Sequence, residues 1–536
     1  SGAQESAYRG KLILAHQTGT GKTASAIYGF ERLRHDGKAK GALVVVPSGL
    51  RENFATSGIE GFTTSDYQIV GSNDEKKTNR RVVRPDEVQP GKPYTVVSYS
   101  TFRRDPVGFM QRSGSDTLIL DEFHKARNEK AKIFKAVWEA RKLAANFIGL
   151  TASPINNDPG ELASLLTLSE GNRVMSPSQF RRAFVETVGH TKGFSGKKKK
   201  VQDLKNHGEM LQLTYPRMDY VTSKDIKSKV MPRKDVTDVP VAMSKEQYDH
   251  YQLALDKLGP VKSYLMRRDD DLSMPKANMV FTKLLQARQV SNSMGRARKS
   301  MSNKQSAKVT PKIKKIVEDT VQHLKEDPNH KVVVYSNLVR GGVDVLDAGL
   351  RDAGLDPALF VGKGTDINGR KVTGPSRQKG VKDYKAGKKR VIILSSAGAE
   401  GLDLKNSTAF YAADGHFNPE RIHQAEARAQ RLGGQQFRKP ENRRVDVRRY
   451  RSVTPESAKP GFFGRLVGRK TPQTTDEWIY NVADRKERKT KSFKKTMREP
   501  HRYIRKYKTA AGNTVYVYPK GHKAKPTTAG GWKFWE

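Results

Sequence analysis

Apolar residues fall into short, nearly continuous runs over the first part of the chain, separated by stretches with helical spacing. The runs are Leu12–Ala15, Ala42–Val46, Thr95–Ser98, Leu118–Leu120 and Phe147–Leu150. A run that is apolar at every position is a strand buried on both faces, and strands spaced by helices reach their neighbours through crossovers. This pattern predicts a parallel sheet covered by helices. A second series follows much later, at Val332–Tyr335, Ala358–Val361, Val391–Leu394, Ala409–Ala412 and Val445–Val447. Two α/β lobes are therefore expected. Between them, from Asp158 to Pro311, the spacing is mostly helical. Polar breaks at GHTKGFSGKKKK and SNSMGRARKSMSNKQSAK read as exposed loops or hinges. The expected domains are 1–170, a first lobe; 171–310, a helical insertion; 311–483, a second lobe; and 484–536, a basic tail.

Charge changes this picture most. The chain has 536 residues, with 100 Lys+Arg against 56 Asp+Glu and a formal net charge of +44. A protein so far from neutrality repels itself unless a polyanion screens it, which makes nucleic acid the leading partner. An anionic membrane is the rival, but no basic amphipathic helix stands out and no apolar run approaches the roughly 18 residues that span a bilayer. Within the tail, Asp484–Lys508 carries twelve basic residues against three acidic ones, with Phe493, Tyr503 and Tyr507 interleaved. Such interleaving suits a clamp on nucleic acid. Beyond it, TAAGNTVYVYP reads as a small hairpin. Cysteine is absent, so disulfide staples and thiolate metal sites are excluded. The opening SGAQESAYRGK has neither an initiator Met nor a signal-peptide core, which suits a chain cut from a longer product.

The segment LILAHQTGTGKTASAI runs from a strand through a glycine-rich turn into a helix. Gly19, Thr20, Gly21, Lys22 and Thr23 end it as a phosphate loop. Glycine lets backbone N–H groups approach phosphates, and the helix that follows offers its positive end. Lys22 reaches the β- and γ-phosphates of a nucleotide such as ATP, and the Thr23 hydroxyl ligates Mg²⁺. His16 stands where the first glycine of the pattern is usual. A second half-site is supplied by TLILDEFHKARN. There Asp121 holds Mg²⁺ through water, Glu122 orients and deprotonates the attacking water, and His124 is placed to sense the γ-phosphate.

From Lys11 to about Asp484 the chain resembles the superfamily 2 helicases, and within them the Swi/Snf-type DNA translocases. ALVVVPSGLRENF and VVSYSTF are similar to two of the family's nucleic-acid-contacting segments. GLTASPINNDPGELASLL is very close to LTGTPIQNN…EL…LL, through Thr151, Ser153, Pro154, Asn156 and Asn157. VAMSKEQYDHY and LLQARQVSN resemble the helical insert. In the second lobe VVVYSN looks like the opening motif. SSAGAEGLDL, with Gly398, Gly401, Leu402 and Asp403, looks like the motif that touches both DNA and nucleotide. HFNPERIHQAEARAQRLGG matches W-NP…QA..R..R.GQ and places Gln424, Arg428 and Arg431 four and three residues apart, near one face of a helix.

The resemblance implies two RecA-like parallel-sheet lobes, ATP and Mg²⁺ as cofactors, and ATP hydrolysis that drives movement on double-stranded DNA. Arg428 and Arg431 would serve as arginine fingers, with Gln424 beside them. Gly401 and Asp403 would contact nucleotide, and Ser48, Ser100, Thr101 and Ser396 would contact nucleic acid. The alternatives are a strand-separating DNA or RNA helicase, or the motor of a larger virus-encoded, restriction or defence polyprotein. The expected setting is intracellular and soluble, in a bacterial or virus-infected cytoplasm ahead of a eukaryotic nucleus. The chain departs from the family in three places. No adenine-reading Gln segment precedes His16, leaving Gln4 or Tyr8 to meet the base; the basic RR-K segment is reduced to YPRMDYVTSKD; and the last motif ends in Gly434 before Gln435.

Overall fold

A computed structural model of the chain describes residues 10–72, 75, 79–155, 158–192, 198–222, 225, 231–256, 284–294, 309–362, 364–396, 402–431, 433–459, 472–498, 505–508 and 514–517, with backbone alone at 187–192, 198–202, 489, 505–508 and 514–517. It divides into two compact units. The first comprises Ser1–Gly189, Lys200–Asp225 and Arg488–Glu536, and the second His190–Lys199 and Ile226–Glu487.

Unit 1 is built on eight strands: β1 (Lys11–His16), β2 (Ala42–Val46), β3 (Tyr67–Val70), β4 (Val82–Val83), β5 (Tyr94–Ser98), β6 (Thr117–Leu120), β7 (Asn146–Leu150) and β8 (Met218–Val221). Their order is β8-β1-β7-β6-β2-β5-β3-β4, and every pairing is parallel. Alternate residues serve opposite faces, as strand geometry requires. Ile13, Ala15, Leu43, Val45, Leu118 and Leu120 enter one core, and Leu12, Leu14, Ala42, Val44, Val46 and Ile119 the other. This is why these strands read as continuous apolar runs. Helix α1 (Lys22–His35) follows β1 and covers the second face through Ala26, Ile27, Phe30 and Leu33. Helix α2 (Glu161–Glu170) covers the first through Leu162, Leu165, Leu166 and Leu168.

Unit 2 has six strands: β9 (Arg233–Ala242), β10 (Val332–Ser336), β11 (Ala358–Phe360), β12 (Val391–Ser395), β13 (Ala409–Ala412) and β14 (Arg444–Val453). They run in the order β9-β14-β13-β10-β12-β11, again all parallel. Both lobes thus have the expected α/β architecture. The stretch expected to be mostly helical differs: besides helices, it supplies an edge strand to each sheet, β8 to the first and β9 to the second. Edge strands are half solvated, so they lack the apolar run that marks a central strand. β9 reads RKDVTDVPVA, holds only part-buried and exposed residues, and tolerates Pro240 because its outer side needs no donor. Val185–Lys192 and Lys198–Leu204 form a further two-stranded sheet.

The tail also differs from expectation. Phe493 is not available to stack on bases. It lies near the end of a 24-residue helix, Thr475–Arg498, and with Met497 joins the first core of unit 1, its ring 6.3 Å from that of Tyr220. Arg505–Lys508 pairs with Thr514–Val517 in an antiparallel ladder. Tyr503 lies outside the described residues. No helix among the described residues is long and apolar enough to cross a membrane.

Helix α3 (Pro419–Ala429) is fastened to the edge of the second sheet by charge. The Glu426 side chain is fully buried and accepts from Lys234 Nζ of β9 and Arg449 Nε of β14, each at 2.8 Å. Burial alone would raise its carboxyl, but the two cations outweigh burial and hold it below the ordinary value of 4.5. Glu426→Ala leaves both cations without their acceptor, and should cost unit 2 about 3–5 kcal/mol in a denaturant titration. Because the folded value is lowered, the native contribution is complete above pH 4.5 and is lost as pH falls through the folded value.

Candidate active site

β1 ends at His16 and α1 begins at Lys22, so the glycine-rich turn occupies the end of a central strand. Gly19 and Gly21 take φ of 85° and 89°, left-handed values that a side chain disfavours. Around the Cβ position of Gly21 nothing lies within 4 Å, leaving that side of the loop open. Gly21 is the N-cap of α1 and supplies no side-chain acceptor, and the first turn holds no acidic residue. The amides of that turn are therefore available to an anion. Lys22 Nζ donates to the His16 carbonyl at 3.0 Å, folding its ammonium back over the loop. Thr20 Oγ1 donates to the Gln17 carbonyl at 2.6 Å, and Thr23 is the second residue of α1. The buried His16 ring, standing where glycine is usual, has Nε2 2.8 Å from Asp219 Oδ2 of β8. Amides, ammonium and hydroxyl gathered on one loop are a donor set that fits a triphosphate.

The acidic pair follows β6, two strands from β1. Asp121 N–H still bonds Val45 O at 2.9 Å, and then the chain turns sharply. Glu122 takes φ 52° and ψ 46°. For a residue with a Cβ that conformation costs about 1–2 kcal/mol, so its surroundings must hold it. Tyr99 does so on one side, donating its hydroxyl to the Asp121 carbonyl at 2.7 Å. Phe123 does so on the other, packed so closely on β7 that a Cβ at Gly149 would come within 2.5 Å of its ring. Glu122 Oε2 is buried and makes no hydrogen bond. The His124 Nδ1 atom lies 3.3 Å from it and 3.4 Å from Thr151 Oγ1. Thr151 Oγ1 in turn accepts the Ser153 amide at 3.1 Å. A desolvated carboxylate oxygen with an open acceptor is what a general base for water requires.

Three of the hydroxyls assigned to nucleic acid, those of Ser48, Ser100 and Thr101, also gather in unit 1. Ser98 closes β5 and caps the turn Tyr99–Phe102, its Oγ accepting the Thr101 amide at 3.1 Å. Ser98 Oγ is 2.9 Å from both Ser100 Oγ and Thr101 Oγ1, and Ser48 Oγ, just past β2, is 3.3 Å from Ser100 Oγ. Ser48 and Ser100 are exposed.

In unit 2, Arg428 is buried in the last turn of α3, where its carbonyl accepts the Leu404 amide at 3.2 Å. Gln424 lies one turn earlier, half-buried. Arg431 does not share their helix, as spacing alone suggested. The helix stops at Ala429, and Gln430 turns away with φ −89° and ψ 91° while its side-chain amide donates to Pro232 O at 2.7 Å. Arg431 instead reaches the preceding motif: Nη2 donates to Leu402 O at 2.6 Å, and Nε is 3.7 Å from Asp403 Oδ1. Burial, and then the charge of Arg428, push its guanidinium down to about 9 against the pull of Asp403. It remains a cation at neutral pH. Ser396 follows β12, part-buried. Gly398, Gly401, Asn156 and Asn157 lie outside the described residues, as do Gln4 and Tyr8.

Two residues escaped the sequence reading. Asp219 was hidden in the segment taken for a weakened basic motif, and only the pairing of β8 with β1 brings it to His16. Tyr99 was visible within VVSYSTF, but its bond to the acidic turn depends on strand order.

The family model for the SNF2-related domain matches residues 4–306, and that for the helicase conserved C-terminal domain matches residues 311–433. A protein of Acanthamoeba polyphaga mimivirus, L538, named among ATP-dependent RNA helicases, is 23% identical over 444 residues, 83% of this chain and 86% of that protein. The Bacillus subtilis ATP-dependent helicase YqhH is 25% identical over 455 residues, 79% of this chain and 70% of its own. The Arabidopsis thaliana ATP-dependent DNA helicase DDM1 is 28% identical over 174 residues, 32% of this chain and 22% of its own.

The two half-sites should fail differently when broken. Lys22→Ala should weaken nucleotide binding in a fluorescent-ATP titration. Glu122→Gln should bind ATP as before yet lose about 10²–10⁴ in phosphate release, the usual contribution of a general base. Unchanged turnover in Glu122→Gln would remove Glu122 from that role.

Proposed function

Because the chain belongs to the SNF2-related family and is an ATP-dependent motor of that family, we propose that it hydrolyses ATP to translocate along double-stranded DNA. In this reading the loop residues Gly19, Thr20 and Gly21 and the Lys22 ammonium hold the phosphates. Thr23 and Asp121 hold Mg²⁺, which when bound neutralises phosphate charge and polarises the γ-phosphoryl group. Glu122 orients the water and takes its proton on Oε2. Arg428 and Arg431 supply positive charge to the phosphoryl group in flight, with Gln424 beside them, and Gly401 and Asp403 complete the nucleotide contacts. Ser48, Ser100, Thr101 and Ser396 grip the sugar–phosphate backbone. Closing on ATP and reopening after hydrolysis would then give one step along a strand.

The observation that carries this reading is the hydroxyl cluster Ser48–Ser98–Ser100–Thr101 where β2 and β5 end, β2 being the neighbour of the strand that Asp121 and Glu122 follow. Hydroxyls and amides bind phosphate oxygens and read no base, which suits tracking on any sequence. The net charge of +44 supplies the long-range attraction. DDM1 is named a DNA helicase, and this supports DNA as the track. The mimivirus relative, matched over most of its length, is named an RNA helicase, and that favours a strand-separating RNA motor as the second reading.

A translocase need not break base stacking, whereas a helicase must supply about 1.4 kcal/mol per base-pair step. Displacement of a third strand from a triplex should therefore depend on ATP, on Lys22 and on Arg431. Release of a labelled strand from a tailed duplex should stay near background. Efficient unwinding without triplex displacement would replace this reading with the second.

A further inference from the structure

We propose that Tyr99 is a positioning residue that couples nucleic-acid binding to the placement of the general base Glu122. The inference rests on the function proposed above and adds a residue to it. Tyr99 is the first residue of the turn capped by Ser98, and the next two residues, Ser100 and Thr101, are hydroxyls assigned to the phosphate backbone. Its own side chain leaves that turn. It passes the end of β2 to the end of β6, and its hydroxyl donates to the Asp121 carbonyl at 2.7 Å. Two ladder spacings, roughly 10 Å, separate β5 from β6, and a tyrosine anchored at the strand end is long enough to cross that gap.

The accepted carbonyl belongs to the peptide that joins Asp121 to Glu122. Rotation of that peptide plane changes φ of Glu122, which is held at 52°. Tyr99 therefore grips the peptide whose orientation sets the direction in which the Glu122 side chain leaves the backbone. On the other side, Ser100 Oγ is shared between Ser98 Oγ at 2.9 Å and Ser48 Oγ at 3.3 Å. A phosphate oxygen arriving at Ser100 or Thr101 competes for these hydroxyls and re-forms the turn that carries Tyr99. Backbone engagement is thereby passed to the acidic turn through one side chain, within one unit of the protein.

Tyr99→Phe in the full chain keeps the ring and its packing and removes only the hydroxyl. ATP hydrolysis is measured with and without a blunt DNA duplex, alongside KM for ATP and affinity for the same duplex. The ratio of stimulated to basal kcat should fall about three- to tenfold, the effect of one positioning hydrogen bond. KM and DNA affinity should stay within about twofold of the unmodified chain, a split that simple loss of stability would not give. An equal fall of basal and stimulated rates, or an unchanged ratio, would overturn the coupling while leaving the proposed function intact. No stimulation of the unmodified chain by duplex DNA would overturn that function, and the coupling with it.

Discussion

The parallel pairing of β7 with both β1 and β6 is the constraint on which the rest of unit 1 depends. Leu14 is in register with Leu150, and Leu120 with Gly149, so the three strands end together. In a parallel sheet every following loop emerges at the same edge, which is where such folds bind their ligands. The phosphate loop after β1, the Thr151 turn after β7 and the acidic turn after β6 thus arrive as neighbours without any contact being arranged for them. Thr151 is tied back into the ladder by its amide bond to Leu14 O at 3.0 Å. From there its hydroxyl meets His124, and His124 meets Glu122. A slip of one residue in β7 would exchange its core faces and carry Gly149 away from Phe123, so the register and the left-handed Glu122 stand or fall together.

A different device operates in unit 2. Arg428 and Arg431 are drawn close enough for the charge of one to depress the other, and Asp403 balances them only in part. Arg431 is held there by the Leu402 carbonyl, which its Nη2 meets at 2.6 Å, and by Asp403, whose Oδ1 lies 3.7 Å from its Nε. Glu426, two residues before Arg428, has two cations of its own and fixes α3 on the sheet.

Central strands of both lobes were legible in the sequence because burial on two faces leaves only apolar residues, and β2 and β13 were read to the residue. β3, β8 and β9 were not. β3 hides Gln68, whose side chain is satisfied internally by Thr95 and the Gln89 carbonyl, and β8 and β9 are edges that carry charge. The phosphate loop and acidic pair were legible because their chemistry restricts residue type over a few adjacent positions. Arg431 was placed on the helix because spacing says nothing of where a helix ends. Phe493 was taken for a base-stacking residue because a basic surrounding does not reveal which face of a helix is buried. Tyr99 and Asp219 act across strands, and only strand order shows what they reach.

The central proposal is that this edge of unit 1 is an ATPase site governed by duplex DNA. Steady-state phosphate release by the full chain, at one salt concentration, with no polynucleotide, duplex DNA, single-stranded DNA and RNA, tests it most directly. The proposed function predicts a low basal rate that duplex DNA raises most. A rate that no polynucleotide changes, or that RNA alone stimulates, would contradict it.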